Sequence, residues 1–334
     1  MDYKKIIAES WEYTQKNKRL IRWYGFLPAI FTTTWTIGYI IYQIFAFKDS
    51  YLFSDKDQGF LFKVVNLIFD FFKAHVEWSI PLIVVGVIFL LCYLLLPTFT
   101  KAASIQVIAR NRNGQKAGLG VGMKYGILSF LKLFEYHLLI KTFAFFSIIF
   151  EMGFVLRNLG IGIFEILLPV FVVLLVLSFV LTLLFTYTDL FIVVDDEGVF
   201  AAMKKSAKLV MMNLRHTFLI TVLMLLIGVR IIIQVVLVFL IPILIILITG
   251  YIATVTLPVT GIIVGGIVGF IGLIVAAYLN GVVDIFAYTV WTFTFLELSG
   301  EGEVSAREAF TDDSGSTDND ATEHHYSGHK NLSA

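Results

Sequence analysis

Residues 195–216 read DDEGVFAAMKKSAKLVMMNLRH, a basic amphipathic segment set between two long apolar runs. Phe200, Met203, Ala207, Val210, Met211 and Leu214 recur at spacings of three and four, with Lys204, Lys205, Lys208 and Arg215 mostly on the other side. That pattern predicts a helix resting on a membrane surface, apolar side in the acyl boundary and cations toward anionic headgroups. Asp195, Asp196 and Glu197 stand at its start, where the helix dipole favours negative charge, and Arg215 near its end. The same periodicity suits a core helix of a soluble domain, but both flanks are too apolar for water.

The whole chain is built the same way. Of 334 residues 58% are hydrophobic, against roughly 45–50% in an ordinary globular protein, and mean hydropathy is +0.86. The 25 cations and 25 acids balance but are segregated. From Ser299 onward eight acids face only Arg307 and Lys330, so an acidic tail of −6 hangs from a body of +6. Cys92 is the single cysteine, which excludes an internal disulfide. The first 22 residues are charged and aromatic, unlike a cleavable signal.

An all-α membrane bundle of about six spans follows, over 1–298. Uncharged residues 26–47 suffice to cross a hydrocarbon core of roughly 30 Å. Further spans fall at about 79–99, 127–156, 163–194, 217–241 and 262–297. Interfacial helices are expected at 3–22, 60–77, 101–124 and 198–216. Pro242, Gly250, Pro258 and Gly261 punctuate the last apolar stretch, so 217–298 holds two long helices around a kinked element, or four short spans. Fifteen Lys and Arg flank one side and five the other, which puts both termini in the cytoplasm. The segment 299–334 is rich in Ser, Asp and Gly, and reads as disordered.

A repeat runs beneath these elements. Thr98-Phe99-Thr100, Thr186-Tyr187-Thr188 and Thr292-Phe293-Thr294 each close an even-numbered span. Gly118 aligns with Gly198, and Ser10, Asn17 and Arg19 with Ser206, Asn213 and Arg215. Three copies of one unit, surface helix then span out then span back, would account for this. Shared interfacial chemistry would also produce it. A site is expected where such repeats meet.

Ionisable residues within spans mark a function or a partner. Arg230 and Asp284 each lie 13 residues from the cytoplasmic ends of their spans, at Thr217 and Glu297, and Gln234 and Asn280 match one turn further on. Antiparallel neighbours would stack an Arg230–Asp284 ion pair on a Gln234–Asn280 amide pair, as a structural clasp or as part of a substrate path. Lys132 and Lys141, with Glu135 and His137, would snorkel to headgroups or form a basic pocket for lipid phosphate. Lys204, Lys205, Lys208 and Arg215 are further headgroup contacts. Glu135 stands three residues from Lys132 and is its expected partner.

Catalytic patterns are missing. There is no HExxH, GxSxG or Walker loop, and 118–122 (GLGVG) lacks the strand and the lysine of a phosphate loop. The adjacent glycines 265–266 are expected to let helices approach closely. No cofactor, metal or nucleic-acid partner is expected, and the basic patches face lipid.

The stretch TYTDLFIVVDDEGVFAAMKKSAKLVMMNLRHTFLI (186–220), with its acidic turn and Ala202-x-x-x-Ser206 basic helix, resembles a prokaryotic six-span group. That group includes the membrane domain fused to some glycerophosphodiester phosphodiesterases and related stand-alone families. The opening AESWEYTQKNKRLIRWYGFLPAIF is similar to theirs too. The resemblance implies a plasma-membrane location, but the soluble barrel that hydrolyses phosphodiesters is absent, so it transfers no catalytic residue. The expected role is a non-enzymatic scaffold or partner for envelope proteins or lipids, the alternative a transporter using the Arg230/Asp284 region.

Overall fold

The computed structural model describes residues 2–48, 60–141, 145–230 and 258–314, and among these every regular element is helical. The helices are α1 (Tyr3–Lys16), α2 (Lys18–Leu20), a π-helical turn Ile21–Phe26, α3 (Leu27–Lys48), α4 (Phe60–Ala74), α5 (Val76–Arg112) and α6 (Leu119–Lys141). They continue with α7 (Phe145–Asn158), α8 (Ile161–Leu184), α9 (Thr188–Val194), α10 (Val199–Met212), α11 (Leu214–Arg230) and α12 (Pro258–Ser314). Among the described residues three helical stretches are long and apolar enough to cross a membrane: Val76–Arg112, Ile161–Val194 and Gly269–Gly300. The pair α10–α11, bent by 97°, makes a fourth if taken as one span.

Large apolar side chains line the outside. Ile80, Leu131, Ile166 and Val173 are among many left exposed, a surface compatible with membrane insertion and costly in water. The interior packs bulky residues such as Tyr187, Ile192 and Phe295 together with small and polar ones: Ala102, Ala103, Ser104, Ser206, Thr289 and Thr294 are fully covered. Buried threonines bond back into their own helices. Thr100 Oγ1 donates to Leu96 O at 2.8 Å, Thr292 to Tyr288 O at 2.7 Å and Thr294 to Val290 O at 2.8 Å.

Glycines set the closest crossings. A Cβ on Gly281 would stand 2.5 Å from Gly25 C and Phe26 N, so α12 crosses the π-helical turn backbone to backbone. Gly122 and Gly126 of α6 receive the side chains of Val107 and Ala103 of α5, at 2.7 and 3.0 Å from where a Cβ would stand. Gly266 has nothing within 4 Å of that point among the described residues. The surroundings of Gly265 lie outside the described residues.

Residues 101–124 do not form one surface helix. Lys101–Arg112 continues α5, and Ala102 to Ala109 are buried, because no helix breaker separates them from Thr98 and their small side chains admit α6 and α9. The last helix runs on to Ser314, beyond the expected end of ordered chain at 298. Its Glu, Ala and Arg residues favour helix, and no proline intervenes. Residues 231–257, with Gln234, Pro242 and Gly250, lie outside the described residues, as does 315–334.

Helix α10 meets the bundle through a side made largely of small residues, and of the apolar side expected to face lipid only Val210 is fully buried. Val199, Ala202, Ser206 and Val210 are buried, whereas Phe200, Met211 and Leu214 are exposed. Small residues allow the closer approach, so the bulky apolar ones remain outside.

Candidate functional site

The charged interior of the bundle gathers where α5, α6, α9 and α12 meet. Lys101 Nζ donates to Asp189 Oδ2, and both side chains are largely covered, 24% and 15% exposed. His137 Nε2 lies 3.4 Å from Asp189 Oδ1, and Thr98 Oγ1 stands 3.3 Å from His137 Nδ1. The ammonium of Lys101 sits 5.8 Å from the centre of the Tyr288 ring. Thr98, His137, Asp189 and Lys101 thus form one polar chain through α5, α6 and α9, with Tyr288 of α12 beside its cationic end.

Local sequence explains the placing. Lys101 directly follows Thr98-Phe99-Thr100, and Asp189 directly follows Thr186-Tyr187-Thr188. The threonines bury themselves and turn the next residue toward the neighbouring copy of the motif. Phe295, the residue after the third motif, packs edge-on against Phe191, with ring centroids 4.9 Å apart. Opposite charges after two like motifs were the available signal, and reading Asp189 as an ordinary interfacial acid misses it.

Above this chain lies a cavity of about 350 Å³ between α3, α5 and α6. Tyr93, Leu94, Phe134 and Leu138 give it apolar walls, and Thr98 and His137 a polar end. Leu94 and Leu138 are also exposed on the outer flank, so the cavity borders the apolar surface of the bundle.

The paired stack expected around Arg230 is not assembled as drawn. Arg230 is exposed, and neither it nor Asp284 joins an ion pair among the described residues. Asn280 Nδ2 donates to Thr33 Oγ1 on α3 at 2.9 Å. Matching depth does not fix the angle around a helix. The Gly25–Gly281 crossing turns the Asn280 side of α12 toward α3, while Ile285, one residue beyond Asp284, joins Ile220 and Met224 of α11 in an apolar cluster.

The lysines divide into two groups. Lys132 Nζ donates to Asp196 O and Oδ1, both at 2.8 Å, leaving Glu135 exposed and without the expected partner. Lys205 pairs with Glu197. Lys204, Lys208 and Arg215 are exposed and in no ion pair among the described residues. Lys141 closes α6.

Two clasps tie the surface helices to this core. Ser206 Oγ donates to Leu184 O at 2.8 Å and accepts from Tyr187 N at 3.1 Å, filling the break between α8 and α9. On the other side Arg112 pairs with Glu9 at 2.7 Å and lies over the Phe293 ring, and Asn111 Nδ2 donates to Tyr13 OH at 2.9 Å. Burial pushes the Tyr13 hydroxyl above the ordinary tyrosine range, so it stays a neutral acceptor there.

Among the described residues no three His, Cys, Asp or Glu side chains cluster to hold a metal ion. Comparison with protein-family models, curated proteins and solved structures finds no match, so the reading of this site rests on its own chemistry.

Proposed function

We propose that the chain is a non-enzymatic multi-pass protein of a prokaryotic plasma membrane, with six spans and both termini cytoplasmic, that takes lipid from the bilayer into its flank. One observation carries this reading: the α3–α5–α6 cavity has acyl-compatible walls, borders the apolar flank, and ends at Thr98 and His137, which are wired to Asp189 and Lys101. A lipid tail fits the walls and a headgroup the polar end. The unpaired Lys204, Lys208 and Arg215 on the proposed cytoplasmic face favour anionic lipid.

A threefold repeat supports this arrangement. Helices α1 and α10 are both 14 residues long, carry a fully buried serine at the same register (Ser10 and Ser206), and end on Asn17 and Asn213. Each Asn amide donates to the carbonyl four residues back, at 2.8 Å and 3.3 Å. In the proposed third copy Gly122 and Gly126 take the places of Ala202 and Ser206, and Leu133 that of Asn213. That copy lacks the Asn, and α6 continues straight past the position where α10 ends. The charged chain then lies where the copies meet, the expected location for a site.

Purification in mild detergent followed by mass spectrometry of bound lipid tests the reading. The wild-type chain should retain anionic phospholipid, and Leu138→Trp, which fills the cavity, should lose most of it. Equal retention by the two proteins would reject the cavity as the lipid site. A carrier of a small molecule or ion is the second reading, favoured by the burial of charge at Lys101, Asp189 and Asp284. It requires that Asp284→Asn abolish a measurable proteoliposome flux.

A further inference from the structure

A second cavity, about 690 Å³, lies between α3 and α7 further along the bundle. Ile40, Ile149 and Phe150 form apolar walls, and Tyr39 meets Phe150 edge-on with ring centroids 5.3 Å apart. Its polar end is Arg157. The guanidinium donates to Gln43 Oε1 and, through Nε, to Gly153 O at 3.0 Å, both uncharged acceptors. No carboxylate lies within ion-pair distance of it among the described residues. A guanidinium has five N–H donors in a planar fork suited to phosphate, so capacity remains. Gly153 adds no side chain to the lining, and a Cβ there would meet nothing.

The two cavities share one helix. Thr32 lines the first; Thr36, Tyr39 and Gln43 line the second. These four residues stand at i, i+4, i+7 and i+11, a stripe along one side of α3. Thr32 to Gln43 spans about 16 Å of helix, roughly half of a hydrocarbon core. The hydroxyls of Thr32 and Thr36 donate to carbonyls of their own helix, which leaves their oxygens as acceptors along that side.

Resting on the lipid-binding reading above, we propose that the α3–α7 cavity binds the phosphate headgroup of a glycerophospholipid at Arg157 and Gln43. The α3 stripe then links it to the His137 cavity as a lane for headgroups between leaflets. The fork of Arg157 meets the phosphate, Ile40 and Phe150 meet the tails, and the stripe lowers the barrier to a headgroup crossing hydrocarbon. The occupant is anionic because Arg157 meets only uncharged acceptors among the described residues.

The test places the full chain in phosphatidylcholine–phosphatidylglycerol vesicles carrying a trace of fluorescent phosphatidylglycerol, with an impermeant quencher added outside. Wild-type protein should make nearly all the probe quenchable, where protein-free vesicles lose only the outer half. Arg157→Gln should slow that exchange about tenfold or more, the loss of a charge-assisted hydrogen bond, while phosphatidylglycerol is still retained at the His137 cavity. Ile40→Trp, which blocks the lane without touching a charge, should slow it as well. Wild-type exchange no faster than in empty vesicles, with lipid still retained, overturns the lane and leaves the lipid-binding reading standing. Exchange unaffected by both variants also overturns the lane. Failure of the wild-type chain to retain lipid sinks both readings.

Discussion

Between Val76 and Leu95, helix α5 turns Trp78, Ile80, Ile83, Val85 and Ile88 outward, whereas between Thr98 and Ala109 the same helix hides Thr100, Ala103, Ser104 and Gln106. None of the most apolar window of this helix is buried, while nearly every residue from Thr98 to Ala109 is. In water the order would be reversed. Within lipid, apolar side chains gain nothing by leaving the solvent, so association depends on close packing and on polar groups finding partners. Along this helix bulk lies on the flank, and small or hydrogen-bonding residues stand among the buried ones.

The largest test of that contrast compares two glycines. Gly86, in the outward half of α5, has nothing within 4 Å of where a Cβ would stand, while a Cβ on Gly281 would collide with the backbone of Gly25 and Phe26. Gly281→Leu should destabilise by about 3 kcal/mol or more, the upper range of overpacking, and eliminate the monodisperse peak in size-exclusion chromatography. Gly86→Leu should leave that peak intact. Equal behaviour of the two variants would mean that the crossing does not set α12 against the start of α3.

Next in size is the Lys101–Asp189 pair. Removing one partner of a covered pair strands the other, at a cost of about 3 kcal/mol. Asp189→Leu should therefore lower the thermal midpoint in detergent sharply, and Lys101→Met together with Asp189→Leu should recover most of the loss. The same replacements on the outer flank have no such partner to strand. A double variant as unstable as the single one would show that the pair acts through something other than its charges.

Much of this architecture was legible from residues alone, and the reason is physical. Apolar runs and the periodicity of 195–216 depend only on local spacing, so the long apolar helices and the surface position of Lys204 and Lys208 followed from them. Angular relations between helices do not. Equal depth for Arg230 and Asp284 says nothing about which sides face, and the backbone contact at Gly25 and Gly281 turns the Asn280 side of α12 toward α3. The side of α10 that meets the bundle was likewise hidden, because periodicity marks the apolar side of Phe200 and Met211 and says nothing of how the small Ala202 and Ser206 pack. The buried Thr98–His137–Asp189–Lys101 chain was visible only as two like motifs followed by opposite charges.

The smallest test carries the comparison from α5 to α10. Ser206, fully buried, bridges Leu184 O and Tyr187 N where α8 gives way to α9, while Lys204 and Lys208 stand exposed on the far side of the same helix. Ser206→Ala leaves a buried donor and a buried acceptor unpaired and should cost about 1–3 kcal/mol. Lys204→Gln with Lys208→Gln removes no covered contact and should leave the midpoint unchanged, since surface substitutions away from such features stay within about 0.5 kcal/mol. Amide exchange separates a specific bridge from general loosening. The Tyr187 amide should exchange faster in Ser206→Ala, while the Ile192 amide, further into α9, keeps its protection. If Tyr187 is as protected in the alanine variant as in the wild-type chain, the hydroxyl is not what closes the break, and the Ala202-x-x-x-Ser206 spacing serves α10 by size alone.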